Sequence, residues 1–88
     1  MSVSAGDVEA ALRAALAPES VAVVDDSARH AGHAGAREGA HFSVSICSTR
    51  FEGLTRVARH RLVYDALHAL MPRGIHAVAI DARAPSPR

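Results

Sequence analysis

Six histidines and a lone cysteine carry most of the chemistry available to this chain. His30 and His33 stand three apart in the stretch 28–40, which holds three glycines, five alanines and no large apolar residue. That composition reads as a loop, because the glycines oppose a stable helix. His76 stands at the entrance of a short apolar segment near the end of the chain. Imidazole is a good ligand for iron, zinc and copper, and an exposed loop histidine can swing to a metal brought by another protein. On residue type alone, the two loop histidines read as solvated side chains and His76 as a strand-end cap. His41 opens a strand and can cap or hydrogen-bond there. His68 lies off the apolar stripe of a helix. His60 sits between Arg59 and Arg61. With Arg56 and Arg73, this triplet makes a candidate basic patch.

Other chemistries are excluded by what is missing. There is no cysteine–histidine spacing of the zinc type, no glycine-rich phosphate loop and no serine elbow. Asp25 and Asp26 are adjacent, so on a strand they point to opposite faces and form no local catalytic pair. The chain is expected not to be an enzyme. Cys47 is the single cysteine, so no internal disulfide forms, and it reads as an incidental thiol. Net charge is +1 with histidines neutral, too small to demand a nucleic acid or a membrane as partner. No apolar run approaches the ~20 residues that span a bilayer. The N-terminus lacks the basic start and apolar core of a signal peptide. A reducing cytoplasm is the expected compartment.

These side chains need elements to hold them. The 88 residues make one domain, with a core expected over 4–83 and a disordered tail over 84–88. Ser4 to Ala17 is predicted helical: Ser4 and Asp7 form a capping arrangement, and Val8, Leu12, Ala15 and Leu16 share a face. Pro18 ends it. Val21 to Asp25 reads as a first strand. His41 to Ser48 alternates, with Phe42, Val44 and Ile46 on one face and Ser43, Ser45 and Cys47 on the other. The two strands are expected to pair antiparallel across the long loop. After a turn, Leu54 to Ala58 and Arg59 to Met71 are predicted helical, as one element or two. Val63, Ala66, Leu67, Leu70 and Met71 form the apolar stripe. Pro72 and Gly74 stop the run, and Ile75 to Ala82 reads as the last strand. Tyr64, Phe42 and Phe51 are all expected in the core. Helices between the second and third strands leave room for parallel pairing, hence a mixed sheet.

Several of these pieces, in this order, resemble the signature of the BolA family: Phe51 and Gly53, Arg59-His60-Arg61, Val63-Tyr64, and Ile75-His76-Ala77. Asp26-Ser27 followed by a histidine, and His41-Phe42, extend the resemblance over roughly residues 8 to 85. It implies an α+β, class II KH-like α-β-β-α-α-β sandwich, with a three-stranded mixed sheet and helices on one face. It also implies two middle helices with a turn near Arg59.

The resemblance further implies pairing with a monothiol glutaredoxin around a shared [2Fe-2S] cluster, in iron–sulfur trafficking or iron regulation. The partner and its glutathione would supply thiolates. This chain would supply His76 and a second ligand from the loop, where His30 matches the family position and His33 is its close rival. Having histidines and no cysteine in that loop, the chain resembles the histidine subgroup. By itself it is expected to be a metal-free monomer. The alternative from the same resemblance is a transcriptional regulator binding DNA. KH-like folds clamp single strands with a GXXG loop, and none stands between the middle helices. The arginines then read as a solvated face or as a docking surface for the glutaredoxin.

Overall fold

The computed structural model describes residues 3–26 and 40–85. Helix α1 runs over Ala5–Leu16, strand β1 over Ser20–Asp25 and strand β2 over Ala40–Cys47. A single 3-10 turn, Thr49–Phe51, leads to helix α2, Arg56–Ala66. A second, Met71–Arg73, leads to strand β3, Ile75–Arg83. The sheet order is β1-β2-β3, with β1 antiparallel and β3 parallel to β2. The fold is therefore α+β with a mixed sheet, as the sequence indicated.

The start of α1 is set locally. Ser4 Oγ accepts from the Asp7 amide at 3.1 Å, and the Asp7 carboxylate accepts from the Ser4 amide at 3.0 Å. This reciprocal box satisfies two donors that a helix start leaves open. Hydrogen bonding to the carboxylate, from the Ser4 amide first and the Ser4 side chain second, stabilises its charged form and holds its pKa below the ordinary 3.8. Val8, Leu12 and Leu16 are buried, while Ala15 is exposed and Ala11 packs on the core instead. At the far end Ala17 takes a left-handed conformation with φ 42°.

One expectation fails. The middle of the chain is one helix, α2, with no turn near Arg59, so the order among described residues is α-β-β-α-β rather than α-β-β-α-α-β. The reason is local. Thr55 caps the helix by accepting from the Ala58 amide at 3.1 Å, and no glycine or proline interrupts residues 55 to 71. The helix also ends earlier than the stripe suggests. Leu67 N–H is shared between the carbonyls of Val63 and Tyr64, both at 3.1 Å. Shorter i→i+3 bonds follow, such as Leu70 N to Leu67 O at 2.8 Å. Pro72 has no amide to continue the α-helical ladder, and the backbone tightens before reaching it. Gly74, at φ 136°, then turns the chain into β3.

The core lies between the helices and one face of the sheet. Val8, Leu12 and Leu16 share the buried cluster with Phe42, Val44 and Ile46, and Val3, Phe51, Val63, Leu67, Leu70 and Ile75 complete it. Val21, Val23, Val78 and Ile80 pack partly against the same cluster. The opposite sheet face carries small and polar residues, among them Ser43, Ser45, Ala77 and Ala79.

Candidate functional site

Of the predicted ligands, His76 lies where β3 begins, beside the start of β2. In a parallel pair, alternation should carry through both strands in step. Here it does not. Ala40 is aligned with Ile75, but His41 is aligned with Ala77, so His76 is an extra residue on β3. This bulge shifts the phase of the strand. Ile75 points into the core before it, and Val78 and Ile80 point there after it. His76 itself is exposed. Its ring stands beside that of His41, with centroids 4.9 Å apart and planes tilted by 38°.

The backbone around the pair is held. Ala40 N donates to Gly74 O and Asp26 N to His41 O, each at 2.7 Å. Ser43 donates its hydroxyl to the Asp26 carboxylate on the same edge of the sheet. His76 is thus a solvent-facing imidazole on a strand whose neighbours are tied down, a placement that suits a ligand. His30 and His33 lie outside the described residues.

The basic residues differ in exposure. Arg59 is half-buried: its Nε donates to Leu54 O and its Nη1 to Ala82 O, both at 3.1 Å. It ties the start of α2 to the end of β3. His60 is also half-buried, whereas Arg56, Arg61 and Arg73 are exposed. Tyr64, expected in the core, is 41% exposed and donates its hydroxyl to Val78 O at 3.4 Å. Arg59 and Tyr64 therefore cover two carbonyls on the free edge of β3. Val57, 66% exposed, shares a helix face with Arg61 and Tyr64.

Ser48 and the bulge at His76 also escaped the sequence reading. Ser48 is fully buried and donates to Leu16 O at 2.7 Å, while accepting from the Arg50 amide. The bulge at His76 was missed as well. Its signal was available: apolar residues at 75, 78 and 80 are spaced three and then two, which strict alternation cannot place on one face. A hollow of about 380 Å³ lies at the other end of the sheet, lined by Ser20, Ala22, Ser45, Cys47, Asp81 and Arg83 among others. It contains no histidine and is separate from the His41–His76 edge.

No group of three or more His, Cys, Asp or Glu side chains among the described residues could enclose a metal. One exposed nitrogen donor, with others to come from elsewhere, does fit a metal group shared between proteins. No helix among the described residues is long and apolar enough to cross a membrane.

Comparison with known proteins agrees with this architecture. The BolA-like protein family model matches residues 12–87. Mouse BolA-like protein 1 is 44% identical over 89 residues, covering 97% of this chain and 64% of that protein. The Escherichia coli DNA-binding transcriptional regulator BolA is 40% identical over 73 residues, covering 83% of this chain and 68% of that protein. The solved structure of BolA1 from Arabidopsis thaliana superposes with a TM-score of 0.81 at 38% identity, covering 99% of both chains. The chain belongs to the BolA-like family. It spans less than two thirds of the mouse relative's length.

Proposed function

We propose that this chain is a non-enzymatic adaptor that pairs with a monothiol glutaredoxin and helps hold a [2Fe-2S] cluster between the two proteins, in cluster trafficking or iron regulation. The observation that carries the reading is His76: an exposed imidazole on a bulge, on a strand anchored by Ile75, Val78 and Ile80. The loop histidines His30 and His33 would provide the second nitrogen, with His30 first. The remaining ligands are thiolates of the partner and its glutathione. Nitrogen ligation raises a cluster's potential above the all-thiolate value and requires neutral imidazole, so acid weakens binding. The exposed Val57, Arg61 and Tyr64 face of α2 and the exposed Arg56 and Arg73 are available for partner contacts.

A second reading has one support, the DNA-binding role stated in the name of the E. coli relative. The geometry favours it less. Arg59 is engaged with two backbone carbonyls, which leaves Arg56, Arg61 and Arg73 as the exposed arginines of the predicted patch. Co-expression with a monothiol glutaredoxin and anaerobic purification separates the two. The cluster reading expects a coloured complex that bleaches with an iron chelator. Sequence-specific DNA binding with a steep salt dependence, without glutaredoxin association, would reverse the ranking.

A further inference from the structure

His41 has no part in the function proposed above, yet its ring lies 4.9 Å from that of His76. Two facts of the fold bring the rings together. Alternation along β2 places His41 on the sheet face opposite Phe42, and the extra residue in β3 carries His76 alongside it. An exposed side chain on a strand ordinarily samples more than one staggered χ1 well. A ring packed against it at this distance removes some of those choices, because aromatic-type pairs prefer offset or tilted contacts. His41 is well placed for this. Its carbonyl accepts from Asp26 N, and the next residue, Phe42, is buried in the core.

We propose that His41 is a positioning residue for His76: it selects the imidazole orientation in which His76 meets a metal group. This rests on the function proposed above for its consequence, but not for the orientation itself. A ligand already set in one rotamer loses less freedom on binding. Residues that orient a metal-binding histidine typically matter by about 10- to 100-fold in metal affinity. A ring contact of this kind belongs near the lower figure.

The test uses His41→Ala and His41→Phe, the second keeping a ring but no nitrogen. Three-bond couplings in the free chain report the χ1 populations of His76. One dominant rotamer is expected in the unsubstituted protein, averaging in His41→Ala, and one dominant rotamer again in His41→Phe. In the complex with a monothiol glutaredoxin, the cluster half-life is expected to fall about tenfold in His41→Ala and to recover largely in His41→Phe. A His76 rotamer distribution indifferent to His41→Ala overturns the proposal. So does a cluster that His41→Phe fails to restore while the rotamer is restored, since His41 would then be acting through its nitrogen. A glutaredoxin complex that never holds a cluster defeats the proposed function instead, and the rotamer measurement still decides the role of His41.

Discussion

The two ends of the sheet are built differently. At one end, Ser48 and Phe51 are fully buried, Ser48 bonds to the last turn of α1, and Arg59 clasps the end of β3. Glu19 N to Cys47 O and Ser48 N to Arg83 O extend the hydrogen bonding past the strands at that end. At the other end, His41 and His76 stand at the edge, with His76 in solvent. The locked end consists of internal partners. The histidine end presents a donor that a second molecule can reach. The contrast shows how a small domain can present one exposed side chain: packing at a distance fixes the strand, and a bulge turns that side chain out of it.

That contrast can be broken most forcefully at the locked end. Phe51→Ala should lower unfolding free energy by about 3–5 kcal/mol, the usual cost of emptying an aromatic site in a core. For a domain of ordinary stability, about 5–15 kcal/mol, this is a large fraction. Urea unfolding followed by circular dichroism measures it. A near-neutral result would mean that Phe51 is not part of a rigid end.

Arg59→Ala is the next test. It removes the charge-assisted bonds to Leu54 O and Ala82 O and should cost about 1.5–3 kcal/mol. Arg61→Ala, on the exposed face, should stay within about 0.5 kcal/mol. Equal effects of the two would show that Arg59 is a surface charge after all.

A smaller effect belongs to the start of α1, whose last turn Ser48 grips. Asp7 has a depressed pKa because of its bonds with Ser4. Its contribution is therefore present above the ordinary carboxylate value of 3.8 and is lost as pH falls through the lower folded value. Stability profiled from about pH 5 to about pH 2 should fall less steeply in Asp7→Asn than in the unsubstituted chain. Parallel profiles would remove Asp7 from the account.

The smallest stability effect is expected at the histidine end. His76→Ala should change unfolding free energy by no more than about 0.5 kcal/mol, since the side chain is exposed. A loss comparable with that of Arg59→Ala would make His76 a structural residue and remove the difference between the two ends.

Much of this organisation was legible beforehand because it is local. The Ser4–Asp7 box, the alternation of Phe42, Val44 and Ile46, and the punctuation by Pro72 and Gly74 each specify their own segment. The antiparallel pair was expected despite its long loop, and the helical segment between β2 and β3 left room for the parallel one. What was missed depends on tertiary partners. Arg59 sits in a run of charge that reads as surface, and only the approach of β3 gives it a carbonyl to hold. Tyr64 falls beside the apolar stripe, and its exposure follows from lying over a strand edge. Ser48 is polar and short, with nothing in its neighbours to announce that it is buried. His76 was identified as a candidate ligand through the family resemblance. The bulge that presents it follows from the spacing of Ile75, Val78 and Ile80, and its contact with His41 arises only when β2 and β3 pair.

The central claim is that His76 is a cluster ligand rather than a strand-end cap. The most direct measurement compares the anaerobically purified complex of a monothiol glutaredoxin with the unsubstituted chain and with His76→Ala. Visible absorption and circular dichroism, reduction potential and cluster lifetime are recorded for both. The account predicts that the substituted protein still folds and still docks, while its complex has an altered spectrum, a lower potential and a shorter-lived cluster. A His76→Ala complex with unchanged spectrum, potential and lifetime would contradict it.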